Sequence, residues 1–478
     1  MSEAGIMEQS KAAQATATVG IIGGGLAGLA AGCALADAGY KVTLFERKPY
    51  LGGRASSYEH PGTGETVDNC QHVLLGCCTN LLNFYDRLGV KDKIRWYEKL
   101  TFIEPGGRIG TLSPSGFPAP FHASPAFLKF PLLSLRDKIG VGQAMLAVMR
   151  GAPKDDGKDF MTWLREHGQT QRALDRFWGP VLVSALNDDL DQVSVTYGAM
   201  VFRDAFLKSA EAGRMGVPTV PLSQLYGEAA DYIRARGGEV LLRSSVEGFS
   251  ADGSHPVIHA SGGDVEFDYV VSAVPFHGVE KLLPDSSETA KFAAELQGLH
   301  TVPITGIHFW FDREVTSLEH AVLLDRTIQW MFQKSKILGR AVGGPAATGS
   351  YLELVVSSSK TLLEKPRAEI IELAQRELAE FFPLSQDARL LKATVVKEVH
   401  ATFSPAPGSE MHRLRPWTPW KNVFISGDWT ATGWPATMEG AVRGGYATAE
   451  ALVAATGRST RFLVPDLEPQ GLMKLFSR

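Results

Sequence analysis

Cysteine is scarce. Four residues in 478, Cys33, Cys70, Cys77 and Cys78, stand in no CxxC arrangement, which excludes a disulfide framework and fits reduced thiols in a cytoplasmic protein. A strong charge of either sign is also missing. The net charge of −4 gives no electrostatic footprint for nucleic acid. No metal site is expected. The opening MSEAGIMEQSKAAQATA has no apolar signal core and reads as a disordered leader over residues 1–17. Long charge-free runs are rare too. Only Val19 to Ala36 approaches the length of a membrane span, and its glycines and strand-like start contradict a spanning helix.

What is present is concentrated near the start. Thr18 to Ile22 is rich in β-branched residues, Leu26 to Ala38 is rich in Ala and Leu, and the glycines between them join a strand to a helix. Gly23, Gly25 and Gly28 fall at GxGxxG spacing. The first permits a tight turn, the second leaves room for a pyrophosphate against the backbone, and the third lets helix and strand pack closely. Phosphates then sit at the helix N-terminus, over Leu26 and Ala27, where unpaired N–H groups favour negative charge. A second strand, Val42 to Phe45, ends at Glu46, where an acid can grip a ribose diol. A second glycine turn follows at Leu51 to Arg54, LGGR, bringing Gly53 and a guanidinium to the same pyrophosphate. No second GxGxxG follows at a strand-to-helix turn, so a separate nicotinamide domain is not expected and the electron partner stays unnamed.

A strand ending in Glu followed by a GGR segment resembles the opening of the FAD-binding amine oxidase and carotenoid desaturase superfamily. The resemblance implies FAD. It also implies an α/β fold, a Rossmann-like FAD-binding domain of the glutathione reductase/amine oxidase type with an interleaved α+β substrate domain. The expected FAD domain is discontinuous, 18–90, 217–290 and 415–455, with 91–216 and 291–414 forming the substrate domain and 456–478 a tail. Carried onto this sequence, the cofactor-binding set is Gly23, Gly25, Leu26, Ala27, Gly28, Glu46, Arg47, Gly53 and Arg54 from the first piece. Gln71, His72 and Val73 are expected near the isoalloxazine ring and Val246 near the adenine. At the far end, NVFISGDWTATGWPATMEG supplies Gly427 and Asp428 for the ribitol or phosphate, and the helix start at Met438, Glu439, Gly440 and Ala441 turns N–H groups toward the flavin pyrimidine edge.

Three segments, QHVLLGCCTNLLNFYDRLG at 71–89, SALN at 184–187 with VPLSQLY at 220–226, and GDWTATGWPATMEGAVRGG at 427–445, resemble hydroxysqualene dehydroxylases. That resemblance implies reduction of an allylic alcohol to squalene in hopanoid biosynthesis. Such chemistry needs a proton donor at the leaving oxygen, for which His72 comes first and Glu439 second. Asp188 and Asp189 are poor candidates. The alternative within the superfamily is a phytoene or carotenoid desaturase working oxidatively. An amine oxidase would need an aromatic cage and commonly a lysine near the flavin, and the sequence makes neither evident. The substrate expected in either main case is a hydrophobic isoprenoid. Gly116 to Leu135, GFPAPFHASPAFLKFPLLSL, combines four phenylalanines with four prolines, and is expected either to line the substrate tunnel or to touch lipid as a peripheral contact on the inner face of the cytoplasmic membrane.

Overall fold

The computed structural model describes residues 16–476 apart from 61–63, 152, 154, 155, 252, 285 and 340–348. Nearly all of the expected leader lies outside the described residues.

The β-branched run Thr18–Ile22 is the central strand of a parallel sheet. Among the described residues the order is Glu239–Leu242, Lys41–Glu46, Thr18–Ile22, Tyr269–Ser272 and Val423–Ile425. Thr18–Ile22, Tyr269–Ser272 and Val423–Ile425 are largely buried on both sides, which is why these runs are continuously apolar rather than alternating, whereas the edge strand Glu239–Leu242 is mostly exposed. The helix Leu26–Asp37 crosses between the first two strands. It has no polar face because it is enclosed, packing against helices Leu222–Arg234 and Met438–Ala455. Strands from residues 18–46, 239–272 and 423–425 thus assemble one layer, and the chain leaves it twice.

On those excursions it builds a second sheet, mostly antiparallel, in the order Leu390–Phe403, Thr301–Phe311, Ser350–Ser357, Trp330–Gln333, His320–Leu323, Leu100–Ile103 and Ile109–Leu112. Thr301–Phe311 lies between Leu390–Phe403 and Ser350–Ser357 and is antiparallel to both. The helix Arg367–Phe381 begins after Pro366 and covers one face. Helices between residues 124 and 207 form an aromatic layer in which Phe160, Trp178 and Phe202 are almost wholly buried.

The stretch from Glu239 to Phe249 is not one strand. Arg243 takes a left-handed conformation (φ 56°), Ser244 N–H donates to the Glu46 carbonyl, and the chain re-enters as Val246–Ser250 in a separate antiparallel sheet. The segment 116–135 is mixed. Phe117, Phe121 and Leu128 are exposed, whereas Phe130 is fully buried edge-on against Phe102. The tail is not loose: Phe462 packs into the core beside Tyr446, and Met473 is buried against the helical layer.

Candidate functional site

The two glycine turns lie on each other. Gly52 N–H donates to the Gly24 carbonyl at 2.9 Å, and a Cβ on Gly53 (φ +64°) would stand 2.9 Å from the Gly25 Cα. A Cβ on Gly28 would lie 2.0 Å from the Gly23 carbonyl oxygen, so no other residue fits there. The helix that follows has no side-chain cap at Gly25 and no acidic residue in its first turn. Leu26 and Ala27, both buried, begin it, and its first-turn N–H groups are left for an anion. Glu46 is buried at the neighbouring strand end. One carboxylate oxygen accepts from Gly24 N–H at 2.8 Å and the other from Lys48 N–H at 2.7 Å, which fixes the group and leaves lone pairs for a sugar hydroxyl. Arg47 is exposed beside it, and Val246 follows the Ser244 link to the same strand end. This cradle fits the pyrophosphate and ribose of a dinucleotide.

Two residues that the sequence separates by 374 positions meet here. Arg54 Nη2 donates to Asp428 Oδ1 at 2.5 Å, and Nη1 donates to the Ala401 carbonyl. Asp428 is 5% exposed, so the pair holds a buried carboxylate at the rim of the cradle. The loop carrying Gly427 and Asp428 is held by Arg413, whose Nη2 donates to the carbonyls of Asp428 and Thr430 and to Thr432 Oγ1. Arg413 was not foreseen, since a lone arginine in HRLRPW carries no spacing signal. His277 and His400 stand with ring centroids 4.5 Å apart near the same pair, and burial drives His277 down to about 4.

The segment Gln71, His72 and Val73 is half-buried to exposed, with Val73 at 37%. Beneath it lies a sealed ionic cluster. Lys334 Nζ donates to Asp68 Oδ2 at 2.9 Å and Gln71 Oε1 at 2.7 Å, and stands 3.6 Å from Glu353 Oε2. All three charged groups are at most 4% exposed. A lysine thus stands beside this segment, which the sequence did not make evident.

Neither expected proton donor survives. His72 Nδ1 faces the Cys70 carbonyl at 2.8 Å, so Nδ1 carries the hydrogen and Nε2 is a lone-pair acceptor. Burial pushes the imidazole below its ordinary pKa, so it stays neutral. Glu439 is fully buried. Its Oε1 accepts from Asn80 N–H and its Oε2 from Leu81 N–H, capping the helix Thr79–Arg87, while Arg443 pairs with it at 2.6 Å. The helix start at 438 is also partly closed: Gly440 N–H donates to Thr437 Oγ1 and Ala441 N–H to the Thr437 carbonyl, which leaves only the N–H groups of Met438 and Glu439 to turn outward. Asp188 is locked between Lys360 and Ser404 Oγ.

Comparison with known proteins bears on this geometry. Residues 26–453 match the model of the family described as flavin containing amine oxidoreductase. The 15-cis-phytoene desaturase of Synechococcus elongatus is 29% identical over 91% of this chain and 96% of its own. The zeta-carotene desaturase of Synechocystis is 28% identical, over 92% and 98% respectively. Among solved structures, an oxidoreductase from Methanosarcina mazei superposes with a TM-score of 0.69 at 17% identity, covering 92% of this chain and all of that one. Putrescine oxidase bound to putrescine gives 0.69 at 16%, covering 92% and 99%. At such identities the structures speak for the fold.

Proposed function

The chain belongs to the flavin containing amine oxidoreductase family, with FAD as its cofactor, and from that premise we propose that it desaturates a long hydrophobic polyene precursor of the phytoene or zeta-carotene kind. The reading is carried by similarity to desaturases that runs nearly end to end in both chains. The site's chemistry supports it. Reductive loss of an allylic hydroxyl needs a proton donor, and His72 is neutral with its hydrogen turned to a carbonyl while Glu439 is a helix cap. Oxidation needs no leaving-group acid. Bound flavin supplies the hydride acceptor. The protein's own part is to hold it by the two glycine turns, Glu46, Arg54 and Asp428, and to keep water from the reacting carbons.

A second reading, dehydroxylation of hydroxysqualene to squalene, is favoured by the GDWTATGWPATMEGAVRGG segment and the SALN turn. The two are separated by incubating FAD-loaded protein with 15-cis-phytoene and a quinone, or, after dithionite reduction, with hydroxysqualene, and extracting products. A more conjugated polyene from the first mixture only is the expected result. Squalene from the second only would transfer the protein to dehydroxylation.

The same reading includes peripheral attachment to the inner face of the cytoplasmic membrane, where such substrates dissolve. Exposed Phe117, Phe121, Leu128, Leu135 and Ile139 lie among Lys129, Arg136 and Lys138, while the neighbouring Asp137 is buried in a capping box with Ser134. No helix among the described residues is long and apolar enough to cross a membrane. Flotation with anionic liposomes is expected to fall in a Phe117→Ser, Phe121→Ser, Leu128→Ser variant, and equal flotation would remove this surface from the reading. Phe130 is unsuited to that test because it is core.

A further inference from the structure

The sealed cluster under the Gln71–Val73 segment, which the resemblance places near the isoalloxazine ring, contains two carboxyl groups and one cation. With both carboxyls ionised it would hold an uncompensated negative charge among Cys70, Phe332 and Val355. One proton restores neutrality, and the hydrogen bonds show which carboxyl is free to take it. Asp68 accepts from Ser57 Oγ at 2.7 Å, Leu222 N–H at 3.1 Å and Lys334 Nζ at 2.9 Å, and these donors hold its carboxyl below the usual range. Glu353 is 0% exposed and neither of its oxygens has a hydrogen-bond partner. The Lys334 ammonium stands 3.6 Å from Glu353 Oε2. Burial, opposed by Lys334 and reinforced by Asp68, raises the Glu353 pKa to about 7.

The surroundings leave Glu353 as the group that titrates near neutrality. Opposite it on the next strand is His308, driven to about 3 by burial and therefore uncharged, with Nδ1 against Tyr351 OH. Tyr351 and Cys70 are pushed well above their ordinary values, Tyr58 is raised, and Lys334 is raised and stays an ammonium. His60, Glu65 and Lys392 bear on the cluster from further out.

We propose that Glu353 is the proton-holding group of this site, taking a proton at its carboxylate when negative charge arrives on the bound flavin and releasing it when that charge leaves, with Lys334 linking it to Gln71. A reductant would supply two electrons and solvent one proton to the bound cofactor, leaving it one negative charge, and a second solvent proton forms the O–H bond on an ionised Glu353. Reoxidation by a quinone-class acceptor reverses it. The inference rests on FAD binding alone and not on the identity of the polyene, so failure of the substrate test leaves it intact.

The test uses full-length FAD-loaded protein without substrate. Infrared difference spectra on anaerobic dithionite reduction near neutral pH are expected to show a buried carboxylic acid C=O band gained, with about half a proton taken up at this group per flavin. Glu353→Gln loses the band, and Glu353→Asp shifts it. The flavin midpoint potential plotted against pH is expected to bend near neutrality in the wild type, to lose that bend in Glu353→Gln, and to show it at higher pH in Lys334→Met. A wild type with no carboxyl band change, or a Glu353→Gln protein with band and bend intact, overturns the proposal. If the glutamine variant does not retain FAD, the wild-type and Glu353→Asp spectra decide it.

Discussion

The ion pair Arg54–Asp428 and the cluster Asp68–Lys334–Glu353 both join distant segments through charge, yet they are built in opposite ways. Arg54 keeps 30% of its side chain in solvent, and the pair sits at the rim of a cradle of glycine backbone. The cluster is closed on all sides, with one ammonium between two carboxyls. An open pair is screened and contributes modestly to the fold, which suits a group that must greet a ligand. A closed cluster contributes little net stability intact but is costly to break, and its protonation is tied to every nearby charge. The molecule thus keeps half-open charge at the rim of the glycine cradle and captive charge beneath the Gln71–Val73 segment.

The contrast breaks most visibly if the captive cation is removed. Lys334→Met leaves two buried carboxyls without a counter-charge and is expected to destabilise the protein by about 3–5 kcal/mol at pH 7.5 in urea unfolding. A loss below about 1 kcal/mol would mean that the cluster is not closed in solution.

A subtler effect follows from Glu353. Its pKa is raised on folding, so the folded state binds more protons than the unfolded state between the ordinary value and about 7, and stability falls as pH rises through that window. The total is about 3 kcal/mol from the shift at 1.36 kcal/mol per unit. Glu353→Gln is expected to remove that slope, gaining on the wild type at pH 8 relative to pH 5. Asp68, whose pKa is lowered, acts in the other direction, its stabilisation lost only as pH falls below the ordinary carboxylate range.

The smallest effect on stability belongs to the open pair. Arg54→Ala leaves the buried Asp428 carboxylate open to water on one side only and is expected to lower unfolding free energy by about 1–2 kcal/mol, less than Lys334→Met, while weakening FAD retention about tenfold, measured by flavin release on dilution. A large stability loss with unchanged FAD affinity would make Arg54 a structural residue and erase the contrast.

The two regions also differ in how far the chain announces them. A pyrophosphate against backbone demands glycine at fixed spacing, so Gly23, Gly25, Gly28 and Gly53, the acid Glu46 and the partners Arg54 and Asp428 are readable in line. Long apolar strands were readable for the same reason of local pattern. Short strands such as His320–Leu323 and Trp330–Gln333 carry too few residues for a period, and the break at Arg243 depends on its link beside Glu46 rather than on its type. Lys334, Glu353 and Arg413 act through burial and distance across the fold, which no spacing encodes. His72 and Glu439 look like acids in sequence because a carbonyl 2.8 Å away and a neighbouring helix start are tertiary facts.

Anaerobic titration of the oxidised, FAD-loaded protein with 15-cis-phytoene reports the direction of electron flow. Bleaching of the oxidised flavin band in step with the growth of a more conjugated polyene is the predicted result. An oxidised flavin that stays unchanged with phytoene, while the reduced protein is reoxidised by hydroxysqualene with squalene formed, would contradict it.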